Sequence, residues 1–234
     1  MTERQVTLGA MVDYFSAAFW LPELRSRDGV VRWLDRCNEL NLGRMYFRVA
    51  LYGDFLHHTK LERRLSPALA ENYKDKAKKQ AMIETCAGFE AFDVLSLVVD
   101  EAHQRGMEVV PWITLSDEGV PGDNYTFFAE NNPEYLMRDR EGNRYDRGLS
   151  YAHAAVREYR LSLIREIESY EADGIFLDFT RWLSHGHMKG RKVALTDEHG
   201  ISNWGYDEPL LSAYRQAHGI DPSELENGDS DWVR

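Results

Sequence analysis

One aspartate lies where enzymes of the α/β class commonly hold reacting groups. Asp178 follows an apolar segment, residues 174–177, that predicts a buried strand. Its carboxylate is therefore expected at the C-terminal end of that strand, where catalytic residues gather in parallel barrels. Glycoside cleavage requires a carboxylic acid that protonates the leaving oxygen, and a second carboxylate that attacks the sugar or activates water. Asp178 fits either role, or it caps the following turn and pairs with Arg181 in a structural role.

A second carboxylate is available at the end of another predicted strand. Asp13 ends the first strand, and the alternation of side chains along the second strand points Arg48 toward the barrel interior. A buried guanidinium needs an acceptor, so we expect Asp13 to neutralise Arg48, although Asp13 is also a candidate reacting group. Arg181 can orient Asp178 or hold a substrate hydroxyl. The catalytic candidates are Asp178, Arg181 and Asp13.

Aromatic and polar residues near the predicted strand ends are candidates for binding a sugar. Trp112 and Thr114 end the third strand on one face, with Asp117 just beyond them. An indole can stack on the apolar face of a sugar ring, but a tryptophan is an equally good core residue. Trp182 is a better candidate for a binding wall because it follows the fourth strand. The substrate-binding candidates are Arg48, Tyr52, Trp112, Thr114, Asp117 and Trp182.

Histidines and cysteines show no metal-site pattern. The histidines at 57–58 and 185–187 lack acidic ligands at metal-site spacing. Cys37 and Cys86 fall on predicted helices or their approaches, which indicates packing rather than a disulfide framework or a zinc site. We therefore expect no metal and no cofactor.

Charge and hydropathy narrow the classes of partner. The 28 basic and 39 acidic residues give a net charge of −11, which disfavours nucleic acid or an anionic membrane surface as the main partner. No apolar run approaches the ~18 residues of a membrane span, and the N-terminus has no secretory pattern. The location stays open between the cytoplasm and secretion with the signal already removed.

Four strand-then-helix units can be predicted along the chain. The strands are predicted near residues 6–14, 44–53, 107–116 and 174–179. The helices are predicted near 28–40 with Asp28 as N-cap, 89–105 ended by Gly106, 154–170 and 210–218. In the second strand an apolar set is expected to face outward under helices, namely Met45, Phe47, Val49 and Leu51.

This alternation predicts an α/β fold with a parallel sheet. No glycine-rich phosphate loop follows the first strand, which counts against a dinucleotide-binding sheet. A complete (β/α)8 barrel takes about 250 residues, and this chain spends many of its residues on loops. We therefore predict a single domain, residues 1–234, of TIM-barrel type that is incomplete, with the first four to five βα units present.

Three stretches together resemble the glycosyl-hydrolase-like 10 family. Residues 149–182 contain Ala152, Val156 and Arg157, and then the run Tyr-Glu-Ala-Asp-Gly-Ile-Phe-Leu-Asp that ends at Asp178. Residues 92–117 and 131–145 match two further family patterns in the same order. The resemblance implies a (β/α) barrel with glycosidase activity, in which Asp178 is the family-matched carboxylate.

The leading hypothesis is a glycoside hydrolase that cleaves a polysaccharide or glycan by carboxylate acid/base chemistry. One alternative is a carbohydrate-binding barrel without catalysis, which would keep its aromatic residues but lack a carboxylate pair. Another is an inactive, truncated piece of such an enzyme. A carbohydrate is the expected partner in the first two cases, and the oligomeric state stays open.

Overall fold

The computed structural model describes residues 7–51, 53–119, 125–180, 186–188, 191–193 and 202–225. Its strands are β1 Leu8–Val12, β2 Leu42–Arg48, β3 Ala50–Leu51, β4 Asp54–Phe55, β5 Arg63–Arg64, β6 Glu108–Thr114, β7 Leu136–Arg138, β8 Arg144–Leu149, β9 Phe176–Asp178, β10 Gly186–Met188 and β11 Arg191–Val193. Its α-helices are α1 Tyr14–Trp20, α2 Arg27–Glu39, α3 Lys76–Ala91, α4 Val94–Gln104, α5 Phe127–Asn131, α6 Ala154–Glu168 and α7 Glu208–His218.

The chain divides into two compact units. The first consists of residues 1–115 and 162–178, and the second consists of residues 116–161 and 179–234. The first unit contains a curled parallel sheet in the order β1-β2-β6-β9. Helices separate these strands along the chain, as the parallel pairing of successive strands requires. The fold is therefore α/β, of the incomplete TIM-barrel type predicted. The assignment of residues 1–234 to a single domain stays a prediction.

The two faces of β2 differ as the alternation predicted. Met45, Phe47 and Val49 have no exposed surface and belong to the main core. The core is completed from α1, α2 and α4 by residues such as Tyr14 and Leu34. Helices cover the face that carries these apolar side chains. The polar side chains lie on the opposite face of the sheet.

Tyr14 lies at the centre of the core beneath β2. Its ring is 5.1 Å from that of Phe47 and 5.7 Å from that of Phe89. Its hydroxyl donates to the Leu24 carbonyl at 2.6 Å, which satisfies the one polar atom buried there. Burial raises the pKa of this hydroxyl. The start of α1 is therefore held firmly against the sheet.

Several predicted boundaries are wrong. The first strand ends at Val12, and α1 begins directly after Asp13. Helix α2 is capped by Ser26, whose Oγ accepts from the Gly29 amide at 3.2 Å, so the N-cap is not Asp28. A serine before the first turn satisfies an amide that would otherwise lack a partner.

The helix predicted at 89–105 is two helices, because α3 ends at Ala91 and α4 begins at Val94. The break falls at Phe92 and Asp93, where Asp93 caps α4 by accepting from the amides of Leu95 and Ser96. The end of α4 is as predicted, because Gly106 follows it with a φ of +70° that favours glycine.

The last strand of the sheet is less buried than predicted. Leu177 in β9 is 38% exposed, although residues 174–177 read as a buried strand. The reason is position, because β9 is an edge strand among the described strands and β1 is the other edge. In β1, Met11 is likewise 59% exposed.

Asp173 fastens the N-terminal end of β9 to the neighbouring strand. Its carboxylate accepts from His103 Nε2 at 2.8 Å and from the Val109 amide at 2.7 Å. Burial alone would raise the pKa of Asp173, but these hydrogen bonds hold it below its usual value. Asp173 therefore has a structural role, at the end of the strand opposite Asp178.

The second unit is built around a buried ion pair and a β-hairpin. Glu118 is fully buried, pairs with Arg160 and also accepts from Thr126 Oγ1 at 2.8 Å. The hairpin β7–β8 contributes Met137 and Tyr145 to a small cluster with Trp204 and Phe179. In the part of the chain that the structure describes, no helix has the length and apolar character needed to cross a bilayer.

Candidate functional site

Four of the predicted residues are connected in one line across the C-terminal ends of the sheet. Arg48 Nη1 lies 3.3 Å from Asp13 Oδ2, and the Arg48 guanidinium lies 5.3 Å above the centre of the Trp112 ring. The Trp112 indole Nε1 donates to Asp178 Oδ2 at 2.9 Å. The line therefore runs from β1 through β2 and β6 to β9.

Strand register produces this line. Val12 is paired with Phe47, so that Asp13 follows beside Arg48, and Arg48 is itself paired with Trp112. Side chains of paired residues in a parallel sheet point to the same face, which explains why these groups meet. That face is the one opposite the helix-covered core.

Asp13 serves two structural purposes at once. One carboxylate oxygen faces Arg48, which confirms the predicted ion pair. The same side chain caps α1, since it accepts from the Ser16 amide at 3.3 Å and from Ser16 Oγ at 3.0 Å. The side chain is still 35% exposed, against 16% for Arg48. Asp13 is therefore held in place and open to solvent.

Trp112 holds Asp178 rather than presenting a free ring. The guanidinium covers one face of the indole, and Phe176 meets it at 6.0 Å with an interplanar angle of 82°. The N–H is used by Asp178. A hydrogen bond to a carboxylate is stronger than one between neutral groups, so this contact fixes the orientation of the carboxylate.

Asp178 lies at the last position of β9, as predicted. It is paired in register with the buried Thr114, and its carbonyl accepts from the Leu115 amide at 2.9 Å. Directly after it, Phe179 has a φ of +51°, in the left-handed region that is uncommon for residues other than glycine. Such backbone is often found next to functional groups. The chain therefore turns sharply just past the carboxylate.

Asp117 lies in the second unit, where it has structural partners. Its Oδ1 accepts from Arg147 Nε at 3.0 Å and from the Gly119 amide at 3.0 Å, and its Oδ2 pairs with Arg147 Nη2. The side chain is only 7% exposed. Its predicted role in substrate binding stays a prediction. Tyr52, Arg181 and Trp182 lie outside the described residues, so their roles also stay predictions.

Two aromatic residues of the inner face were not singled out from the sequence. Tyr46 and Phe176 meet edge to face at 5.6 Å, one layer below Arg48 and Asp178. Below them, Arg44 pairs with Glu108. The alternation that points Arg48 inward applies equally to Tyr46 and Arg44, and Phe176 lies two residues before Asp178. That signal was available in the sequence.

Within the described ranges, no three histidine, cysteine or acidic side chains are grouped so that they could hold a metal ion.

A second polar cluster lies away from the strand ends. Glu166 accepts from Thr59 Oγ1 at 2.7 Å, from the Lys60 amide at 2.7 Å and, at 3.4 Å, faces His57 Nε2. Burial would raise the pKa of Glu166, but these partners lower it. This cluster ties α6 to the segment after β4.

Comparison with known proteins supports the fold. No protein-family model and no curated protein matches the chain. Among solved structures, alpha-L-fucosidase isoenzyme 2 from Paenibacillus thiaminolyticus aligns with a TM-score of 0.51 at 15% identity, over 98% of this chain and 28% of its own. A maltogenic alpha-amylase from Thermotoga neapolitana aligns with a TM-score of 0.47 at 17% identity, over 76% and 40%.

A hypothetical protein from Ruminiclostridium thermocellum aligns with a TM-score of 0.48 at 11% identity, over 94% of each chain. The chain thus spans 28% of the fucosidase and 40% of the amylase. Of these three alignments, that of the fucosidase has a TM-score above 0.5, and at such low identity it is a likeness of fold alone.

Proposed function

We propose that this chain binds carbohydrate at the C-terminal ends of its parallel strands and cleaves glycosidic bonds, with Asp178 as a reacting carboxylate. The observation that carries the proposal is the hydrogen bond of 2.9 Å from Trp112 to Asp178, beside the Asp13–Arg48 pair. An oriented carboxylate at this end of a parallel sheet is the arrangement that barrel enzymes use. The family resemblance of residues 149–182 independently supports Asp178.

Glycoside hydrolysis needs two carboxylates, and Asp13 is the second one at these strand ends among the described residues of the first unit. In the reaction, one carboxylic acid gives its proton to the glycosidic oxygen as the carbon–oxygen bond breaks. The other carboxylate either attacks the sugar carbon or removes a proton from the attacking water. We assign Asp178 and Asp13 to these two roles without distinguishing which takes which.

The roles of the neighbouring residues follow from their contacts. We assign Trp112 to positioning Asp178, because its N–H and one ring face are already occupied. Arg48 positions Asp13 through their ion pair. Membership of the glycosyl-hydrolase-like 10 family is part of the proposal.

Binding without cleavage is the second candidate function. The observation that favours it is that Asp13 already has two structural contacts, because it accepts from Arg48 and caps α1. A carboxylate so occupied is less available to react. In that case Asp178 and Arg48 would bind sugar hydroxyls only.

The test is hydrolysis and binding of oligosaccharides built from glucose, fucose and N-acetylglucosamine. The parent chain should release reducing ends from at least one of them. Asp178→Asn should lose about two to four orders of magnitude in rate, whereas Asp28→Asn, an exposed aspartate on α2, should keep the parent rate. Equal rates for the parent and Asp178→Asn would refute the catalytic role. Sugar binding with no cleavage by any variant would favour the second candidate.

A further inference from the structure

An exposed stripe leads along α1 away from the strand ends. Asp13, Ser16 and Trp20 are spaced three and four residues apart, so they share one face of the helix. Ser16 and Trp20 are both exposed, Trp20 at 65%. From Tyr14 to Trp20 the helix rises by about 9 Å. The stripe therefore begins at the carboxylate of the candidate site and ends at an open indole.

A groove of about 150 Å³ lies beside that indole. We call it the Trp20 groove, and its lining consists of Phe15, Ser16, Phe19, Trp20, Tyr73 and Lys78. Its volume is close to the ~150 Å³ that accommodates a single six-membered ring in a protein cavity.

Three aromatic side chains of the groove contact one another. Phe19 meets the Trp20 ring edge-on at 4.9 Å and stacks on Tyr73 at 5.6 Å. Phe19 itself is 5% exposed, so it belongs to the core and supports the indole from below. The Lys78 ammonium lies 6.0 Å from the centre of the Trp20 ring. The Trp20 ring therefore contacts Phe19 and keeps most of its surface exposed.

We propose that the Trp20 groove is a subsite for a sugar ring of the substrate chain whose other end occupies the strand ends. This inference rests on the proposed function. A pyranose ring has an apolar C–H face that suits the electron-rich face of an indole, and hydroxyl groups at its rim that suit Ser16 and Lys78 as polar partners. Ser16 lines the groove and also hydrogen-bonds Asp13, so the subsite is continuous with the candidate site.

The aromatic walls and polar edge of the Trp20 groove indicate which ligand it binds. A groove with aromatic walls and a few polar groups at its edge is typical of small-molecule sites. A protein partner would bury a much larger patch than one ring fills. The substrate therefore has to be an oligosaccharide long enough to reach along α1, and a disaccharide held at the strand ends leaves the groove empty.

The experiment measures binding by calorimetry in the Asp178→Asn background, which prevents turnover. The probes are maltohexaose, cellohexaose and chitohexaose, each with its disaccharide. Trp20→Ala should raise the Kd of the bound hexasaccharide by about three- to ten-fold and leave the Kd of the disaccharide unchanged. Trp20→Phe should retain part of the affinity, since it keeps a ring. Leu40→Ala, which alters an equally exposed side chain outside the groove, is the control.

Each outcome decides the proposal. One outcome is that the hexasaccharide binds equally well with and without Trp20, and that the chain with Asp178 intact also cleaves it equally well with and without Trp20. This outcome overturns the subsite and leaves the proposed function standing. An equal loss for the hexasaccharide and the disaccharide also overturns the subsite. If Trp20→Ala changes the sedimenting mass and no sugar affinity, the groove is a protein interface and the proposal fails. Absence of binding for every probe overturns the subsite, and if the chain with Asp178 intact also hydrolyses no oligosaccharide, the proposed function is overturned with it.

Discussion

Trp112→Phe tests how Asp178 is positioned. The replacement keeps an aromatic ring beneath Arg48 but removes the N–H that lies 2.9 Å from Asp178. A hydrogen bond to a charged group contributes about 1.5–3 kcal/mol, and because both side chains are only half-buried the lower end applies. If that energy orients the carboxylate in the transition state, a loss of about 1.4 kcal/mol lowers kcat about ten-fold.

The assay is steady-state hydrolysis of whichever oligosaccharide the parent cleaves, with the unfolding free energy measured in urea. KM should change little, because the lost contact acts on the carboxylate rather than on the bound sugar. Trp33→Phe, a partly buried tryptophan on α2 beside Tyr14, is the matched control. A kcat for Trp112→Phe within two-fold of the parent, or an equal loss in Trp33→Phe, would refute the positioning role.

Two further predictions concern stability. Glu166→Gln should lower the unfolding free energy at neutral pH by about 2 kcal/mol, because an amide cannot accept from both Thr59 and Lys60; Glu168→Gln, exposed on the same helix, should change it little. Burial acts to raise the pKa of Glu166, but hydrogen bonds lower it overall. Its stabilisation is therefore complete above the ordinary carboxyl pKa of about 4.3 and is lost as the pH falls through the lowered folded value. Urea titrations of parent and variant should converge as the pH falls from about 4.3 through the lowered folded value, and a difference that stays constant across that acid range would count against the assignment. Arg160→Met should cost about 3–5 kcal/mol, measured by the same unfolding, since Glu118 loses its buried cation; adding Glu118→Leu should recover most of this, and no recovery would contradict the reasoning.

The fold could be predicted where the spacing of apolar residues is compatible with only one kind of element. Along β2, apolar residues alternate with Tyr46 and Arg48, so the outward face and the inward arginine follow from the sequence alone. An inward guanidinium needs an acceptor, and Asp13 ends the neighbouring strand. The ion pair between them was therefore predictable before any coordinates.

The helical boundaries could not be predicted so well, because local patterns were ambiguous. Asp13 reads equally as the end of a strand and as the N-cap of α1, since the following Tyr14 and Phe15 are compatible with either. Likewise the apolar spacing continues across Phe92, although Asp93 has a capping side chain that marks the start of α4. Short apolar runs do not separate strand from helix until their packing partners are known.

The contact between Trp112 and Asp178 depends on register, which the sequence does not contain. Thr114 is paired with Asp178, and this places the indole two residues back along β6 within reach of the carboxylate. A shift of one residue would move the side chains to opposite faces. Candidates could therefore be chosen from the sequence, but which of them touch required the structure.

The most direct test of the central claim is the hydrolysis rate of Asp178→Ala, with and without added formate. We predict a fall of about two to four orders of magnitude and a partial return when formate supplies the missing carboxylate, with Asp28→Ala unaffected in both conditions. Hydrolysis at the parent rate by Asp178→Ala would contradict the claim that this carboxylate reacts.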